Sequence, residues 1–236
     1  MPQNNNREFV LVSKKDEAEN VISLSFKPVD NLEYKFIPGQ YVNIKPQTIS
    51  GHGKSYTISS LPSEKNIVIT IKRKGQVSSA ILDLPIGARL FLAGPYGYFF
   101  PEENSGDLVM LAGGIGITPL YSIIKSRLKS NNKNNITLFY SNKTLKEAPF
   151  LDELVSLEKN KSSALKIINV LTQETIKSPL VLEYSRINRE MLMKYVVSTD
   201  NKCYYICGSV GFVNDVWKML KDIGVEEGRI FTESFF

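Results

Sequence analysis

From Phe9 to about Leu92 apolar residues alternate with polar ones in short runs: FVLVS, VISLSF, YKFIPGQYVNIK, SYTISS, IVITIKRK and ARLFLAG. Pro, Gly, Asn and Asp separate the runs. A period of two puts one face of a strand on a core and the other in water. Turn residues at each break favour antiparallel neighbours, so this stretch predicts a small antiparallel barrel or sandwich. One helical stretch, SSAILDL at 78–84, interrupts it.

The rhythm changes after PEENSG at 101–106, a polar, turn-forming boundary. Apolar strands then alternate with amphipathic helices: LVMLAG with PLYSIIKSRLK, ITLFYS with PFLDELVSLEK, LKIINVL with NREMLMKYV, and CYYICG with VNDVWKMLKDIG, before RIFTESFF. Alternation of this kind predicts right-handed βαβ crossovers and a parallel sheet covered on both faces. The expected organisation is two-domain, a β-barrel over 1–103 followed by a Rossmann-like α/β domain over 104–236.

Composition narrows the chemistry. The chain has 29 Lys and Arg against 24 Asp and Glu, a formal charge of +5 that suits anionic ligands or acidic partners. Its basic clusters, such as KRK at 72–74, are too short for a nucleic-acid stripe. Cys203 and Cys207 are the only cysteines, too few for an iron–sulfur cluster, so a redox cofactor would be organic. His52 is the only histidine and lies in a GHGK turn, which disfavours Ser-His-Asp and His-metal mechanisms. The amino terminus MPQNNNREF lacks the apolar stretch of a signal peptide, and no apolar run is long enough to span a bilayer. The expectation is a cytoplasmic protein with no membrane segment.

The first strand of the α/β half runs into Gly113, Gly114, Ile115, Gly116, Ile117, Thr118 and Pro119. Glycines at a strand-to-helix turn let the backbone approach a pyrophosphate, and Thr118 and Pro119 suit the N-cap and first helical positions. The spacing is neither G-x-G-x-x-G nor a P-loop. The same turn without a ligand is the competing reading. At the end of the next strand Ser141 and Lys143 suit a ribose 2′-phosphate, with Arg186 more distant, and no acidic residue stands at the strand tip to hold a 2′-hydroxyl.

Lys54-Ser55-Tyr56-Thr57, the basic strand followed by Gly75-Gln76-Val77-Ser78, the segment Gly94-Pro95-Tyr96-Gly97-Tyr98-Phe99, the glycine turn with Thr118-Pro119, and Cys207-Gly208 follow one another along the chain. In this order they resemble the motifs of the ferredoxin–NADP⁺ reductase superfamily. The resemblance implies an FAD-binding barrel joined to an NAD(P)-binding domain, with no iron–sulfur domain. It implies that Tyr56 stacks on the flavin ring and Thr57 places a hydroxyl near the hydride-accepting nitrogen. Lys54 stands where the family usually has Arg, supplying the charge but not the planar fork that grips phosphate bidentately.

By the same resemblance Ile71 and Lys72 run beside the ribityl chain and adenosine, and Gly75, Val77, Ser78 and Ser79 meet the FAD pyrophosphate. Cys207 and Gly208 face the nicotinamide, Glu233 is a carboxylate near the flavin, and Phe235 or Phe236 shields the ring. The implied activity is an FAD-dependent NAD(P)H oxidoreductase, with NADPH favoured over NADH as donor. Ferredoxin or flavodoxin is the expected acceptor, an acidic electron-transfer protein matching the positive chain. Two alternatives stay open: a reductase for free flavin, ferric chelates or an oxygenase system, and a non-catalytic flavin- or nucleotide-sensing module.

Overall fold

The computed structural model describes residues 6–46, 52–102, 105–130, 134–161, 163–174 and 176–235. The chain divides into two compact units, Met1–Phe100 and Pro101–Phe236.

The first unit is an antiparallel sheet built from β1 (Asn6–Ala18), β2 (Val21–Pro28), β3 (Tyr41–Ile44), β4 (Lys54–Thr57), β5 (Ile67–Lys72) and β6 (Arg89–Tyr96), in the order β4-β3-β6-β1-β2-β5. Its two edges meet, because Ile58 bridges Ile69 and the Ser59 N–H donates to the Val68 carbonyl at 2.8 Å. Closure removes the free edges that an open sheet exposes. Alternate residues point inward, so Phe9, Leu11, Leu24, Phe26, Val42, Ile44, Ile69, Ile71 and Leu92 form one core. Of the run YKFIPGQYVNIK only Tyr41–Ile44 is strand, since the turn at Gly39 (φ 102°) breaks pairing before it begins.

The helix expected at 78–84 is α1 (Gln76–Leu82), which starts two residues earlier. The Ser78 hydroxyl accepts from the Lys74 N–H at 2.9 Å and donates to the Gly75 carbonyl at 3.0 Å, tying the loop to the first turn.

The second unit is a five-stranded parallel sheet. In chain order its elements are β7 (Asp107–Gly113), α2 (Ile117–Lys129), β8 (Ile136–Asn142), α3 (Leu151–Asn160), β9 (Leu165–Leu171), α4 (Arg189–Tyr195), β10 (Lys202–Ser209), α5 (Val210–Asp222) and β11 (Ile230–Phe235). The strand order is β11-β10-β7-β8-β9. Growth outward from β7 to β9, then a return to β10 on its other side, is the doubly wound pattern. Helices α4 and α5 cover one face through Met191, Leu192, Val213, Val216 and Leu220, packed on Val109, Leu111, Phe139, Ile168 and Ile206. On the other face α2 lies against β7 and β10, and Tyr121 stacks on Phe150, which caps α3, at 4.1 Å. Among the described residues no helix is long and apolar enough to cross a membrane, and no cluster of His, Cys, Asp and Glu is placed to hold a metal ion.

The helix after the glycine turn begins earlier than expected. A 3₁₀ turn over Gly114–Gly116 leads straight into α2, whose N-cap is Gly116 rather than Thr118. Pro119 is therefore the third helical residue, still within the first turn where its missing N–H has no intrahelical partner to lose. The Thr118 hydroxyl donates backward to the Ile115 carbonyl at 2.8 Å and is buried.

Candidate functional site

In the barrel, the seam between β4 and β5 brings Tyr56, Thr57, Ile71 and Lys72 to adjoining edges. Lys54 is exposed, Tyr56 is half-buried against the core, and Thr57 is buried. Burial pushes the Tyr56 hydroxyl up to about 12, so the ring is neutral at any physiological pH. The Thr57 Oγ1 is buried with no hydrogen-bond partner. Such an atom costs roughly 1–3 kcal/mol unless a ligand satisfies it. Ile71 is a core residue and Lys72 is half-buried beside it. At the start of α1, Gly75 is exposed, and the space a side chain there would enter is open. Val77 and Ser79 are half-buried. The Ser78 hydroxyl is committed to the loop, so what Ser78 has to offer an anion is its backbone.

Sequence reasoning missed a chain of hydroxyls at the same seam. Ser23 and Thr70 lie 2.7 Å apart, Ser59 lies 2.9 Å from Thr70, and Ser59 also donates to the Val68 carbonyl at 3.1 Å. Two strands, β2 and β5, and the segment after β4 contribute, so no local pattern could have shown it.

In the α/β unit the order reverses between β7 and β10, the place where doubly wound sheets bind ligands at their strand ends. Gly113 closes β7, and Cys207 and Gly208 lie at the end of β10. The three glycines of the turn differ in role. A Cβ on Gly116 would fall on the Cys207 carbonyl and 2.7 Å from the Gly208 nitrogen. One on Gly113 would meet the Phe212 ring at 2.9 Å, and Gly208 meets the same ring at 2.7 Å. Only Gly114, at φ 55°, faces open space. Gly116 thus lets α2 pack on β10, Gly113 and Gly208 admit Phe212 from α5, and Gly114 is the glycine whose open side suits a phosphate.

Cys207 and Glu233 are register partners on β10 and β11. Desolvation, then the nearby Glu233 carboxylate, push the buried Cys207 thiol well above its usual range. It packs and does not attack. Burial raises Glu233 from 4.5 to about 7, and its Oε2 is buried without a partner. Phe235 is half-buried at the end of β11, whereas Phe236 lies outside the described residues.

Ser141 is half-buried at the end of β8, Lys143 is exposed beyond it, and Arg186 is exposed in the segment before α4. An acidic residue does reach this strand end: Glu174, following β9, accepts from the Leu145 N–H at 3.1 Å. The contact spans 29 residues of chain and had no signal in the neighbourhood of β8.

Residues 8–100 match the oxidoreductase FAD-binding domain model and residues 110–218 the oxidoreductase NAD-binding domain model. The chain belongs to the ferredoxin–NADP⁺ reductase superfamily. Flavohemoprotein A of Dictyostelium discoideum is 30% identical over 97% of this chain and 60% of its own length. The FAD/NAD-binding domain of nitric oxide dioxygenase from Vibrio cholerae O1 biovar El Tor has 26% identity and a TM-score of 0.87, over 98% of this chain and 99% of that one. A flavohemoglobin from Malassezia yamatoensis, with bound FAD and heme, has 26% identity and a TM-score of 0.85, over 99% and 61%. The chain spans about three-fifths of the length of the flavohemoproteins it matches.

The residues present fit the two cofactors of the superfamily. FAD has an aromatic face in Tyr56, an unsatisfied buried hydroxyl in Thr57, a cation in Lys54 and an open helix start at Gly75. A dinucleotide has the open backbone of Gly114 at the switch point.

Proposed function

We propose that this chain is an FAD-dependent NAD(P)H reductase that delivers electrons to a haem centre. Two buried polar atoms without protein partners carry the reading, Thr57 Oγ1 and Glu233 Oε2, each at a position where the superfamily resemblance implies contact with the flavin. Bound FAD would supply the redox chemistry, taking a hydride and releasing its electrons singly or in pairs. The chain's residues bind and orient. Tyr56 presents its ring as a stacking face, Thr57 offers a hydroxyl, and Lys54 faces phosphate as a point charge. Gly114 admits a pyrophosphate to the backbone at the head of α2. Cys207, held as a neutral thiol, fills space against the nicotinamide. Glu233, near 7, is about half protonated at neutral pH, which limits the negative charge it sets beside a reduced ring.

A haem acceptor is favoured by the flavohemoprotein relatives. Ferredoxin or flavodoxin is the second reading, supported by the charge of +5. The test is anaerobic: load the protein with FAD, add NADH or NADPH, then add a ferric haem protein or oxidised ferredoxin in separate arms. The expected result is loss of the yellow absorbance with a nicotinamide, then its return as haem is reduced. Return only with ferredoxin would transfer the assignment to the second reading. Bound FAD that neither nucleotide reduces would leave a sensing module and overturn the reductase.

A further inference from the structure

A second cleft lies in the α/β unit away from the strand ends that would hold a dinucleotide. It encloses about 270 Å³ between α4, the segment that follows it, the start of β10 and the end of α5. That volume lies just below the roughly 300 Å³ at which pockets for drug-sized ligands begin, which limits the site to a small ligand. Tyr204, in its wall, precedes Gly208 by four residues on β10, about 13 Å along the strand at roughly 3.3 Å per residue. The two places are therefore separate on the same sheet.

Leu192, Val196 and Ile223 make the lining largely aliphatic, and Met193, 58% exposed, stands at its rim. Four polar side chains break this surface, Arg189, Ser198, Thr199 and Tyr204; the Ser198 hydroxyl is committed to Asp200 at 2.9 Å, and Arg189 and Tyr204 carry the recognition. Arg189 is the single charged residue in the lining; it is exposed and makes no ion pair among the described residues. Tyr204 is fully buried, and its hydroxyl has no hydrogen-bond partner. A cation and an unsatisfied hydroxyl on an aliphatic wall match one kind of ligand, a small acid with an apolar body.

We propose that this cleft is a second ligand site, for a small apolar monocarboxylate whose carboxylate meets Arg189, whose chain covers the aliphatic wall and whose oxygens reach the Tyr204 hydroxyl. The site makes no use of the flavin or nicotinamide positions and stands whether or not the chain is a reductase. Octanoate is the probe, with octanol as its neutral counterpart, titrated into full-length protein carrying ¹³C-methyl methionine. Met193 is one of five methionines and the one in this lining, so its methyl signal should shift and saturate while the others hold still. Arg189→Gln should weaken octanoate about tenfold and leave octanol unchanged, and Tyr204→Phe should weaken octanoate by about tenfold or more, the effect of one hydrogen bond to a charged carboxylate. No saturable Met193 shift, equal shifts at all the methionines, or equal octanoate affinity in wild type and Arg189→Gln would each overturn the site.

Discussion

Replacing Glu233 by Gln separates the charge of this side chain from its shape. The carboxyl titrates near 7 in the folded chain, raised from 4.5 by desolvation. Between those values the native state holds a proton that the unfolded chain has released. Stability from this group is therefore fully present below about pH 4.5 and falls as pH rises through about 7. At roughly 1.36 kcal/mol per pH unit the displacement amounts to about 3 kcal/mol, an upper figure because the side chain is only partly shielded from water. Gln keeps the volume and cannot ionise. The stability difference, Gln minus Glu, should thus move by about 3 kcal/mol in favour of Gln between about pH 4 and pH 8, on top of any constant offset from the amide. Trp217, the single tryptophan, lies on α5, half-buried against the core of this unit, and reports unfolding of this unit alone. Urea titrations of the flavin-free protein followed by its fluorescence measure the difference at each pH. A difference flat to within about 0.5 kcal/mol across that range would refute the argument, and Glu233 would then titrate as an ordinary exposed carboxylate.

The glycine turn yields a paired prediction: Gly116→Ala should cost about 3 kcal/mol, because the methyl meets the backbone of β10, while Gly114→Ala should cost about 1 kcal/mol for its left-handed φ. Trp217 melts give both values, and equal losses would remove the distinction between packing and open glycines. Lys54→Arg should hold FAD as tightly as wild type or more so, and Lys54→Ala should bind it about tenfold more weakly, as read by flavin fluorescence quenching. Identical affinities would take Lys54 away from phosphate. Lys143→Ala should raise the KM for NADPH by about tenfold and leave NADH nearly unchanged, a contrast that high salt should reduce. Equal changes for both nucleotides would point to a general effect on the turn.

The sorting of the chain into a barrel and a doubly wound sheet could be read from near neighbours alone. A period of two in VISLSF, or a strand-then-helix rhythm in LVMLAG and PLYSIIKSRLK, is decided by residues a few positions apart. Turn chemistry is equally local, which is why the glycines at 113–116 were visible as a strand-to-helix turn. Their division of labour was not. Gly116 is glycine because of Cys207, and Gly113 because of Phe212, each about a hundred residues away in sequence and brought near by the return of the chain to β10. The start of α2 at Ile117 rather than after Thr118 has the same origin, since the 3₁₀ turn that advances it packs against that strand. Glu174 reaches the end of β8, and Ser23, Ser59 and Thr70 join across the barrel seam, only because pairing sets distant residues side by side. The family resemblance marked Thr57 and Glu233 as candidates, but an orphaned hydroxyl and a carboxyl raised to about 7 are properties of burial. Burial is a sum over every element packed around an atom, and that sum exists only once the tertiary structure has formed.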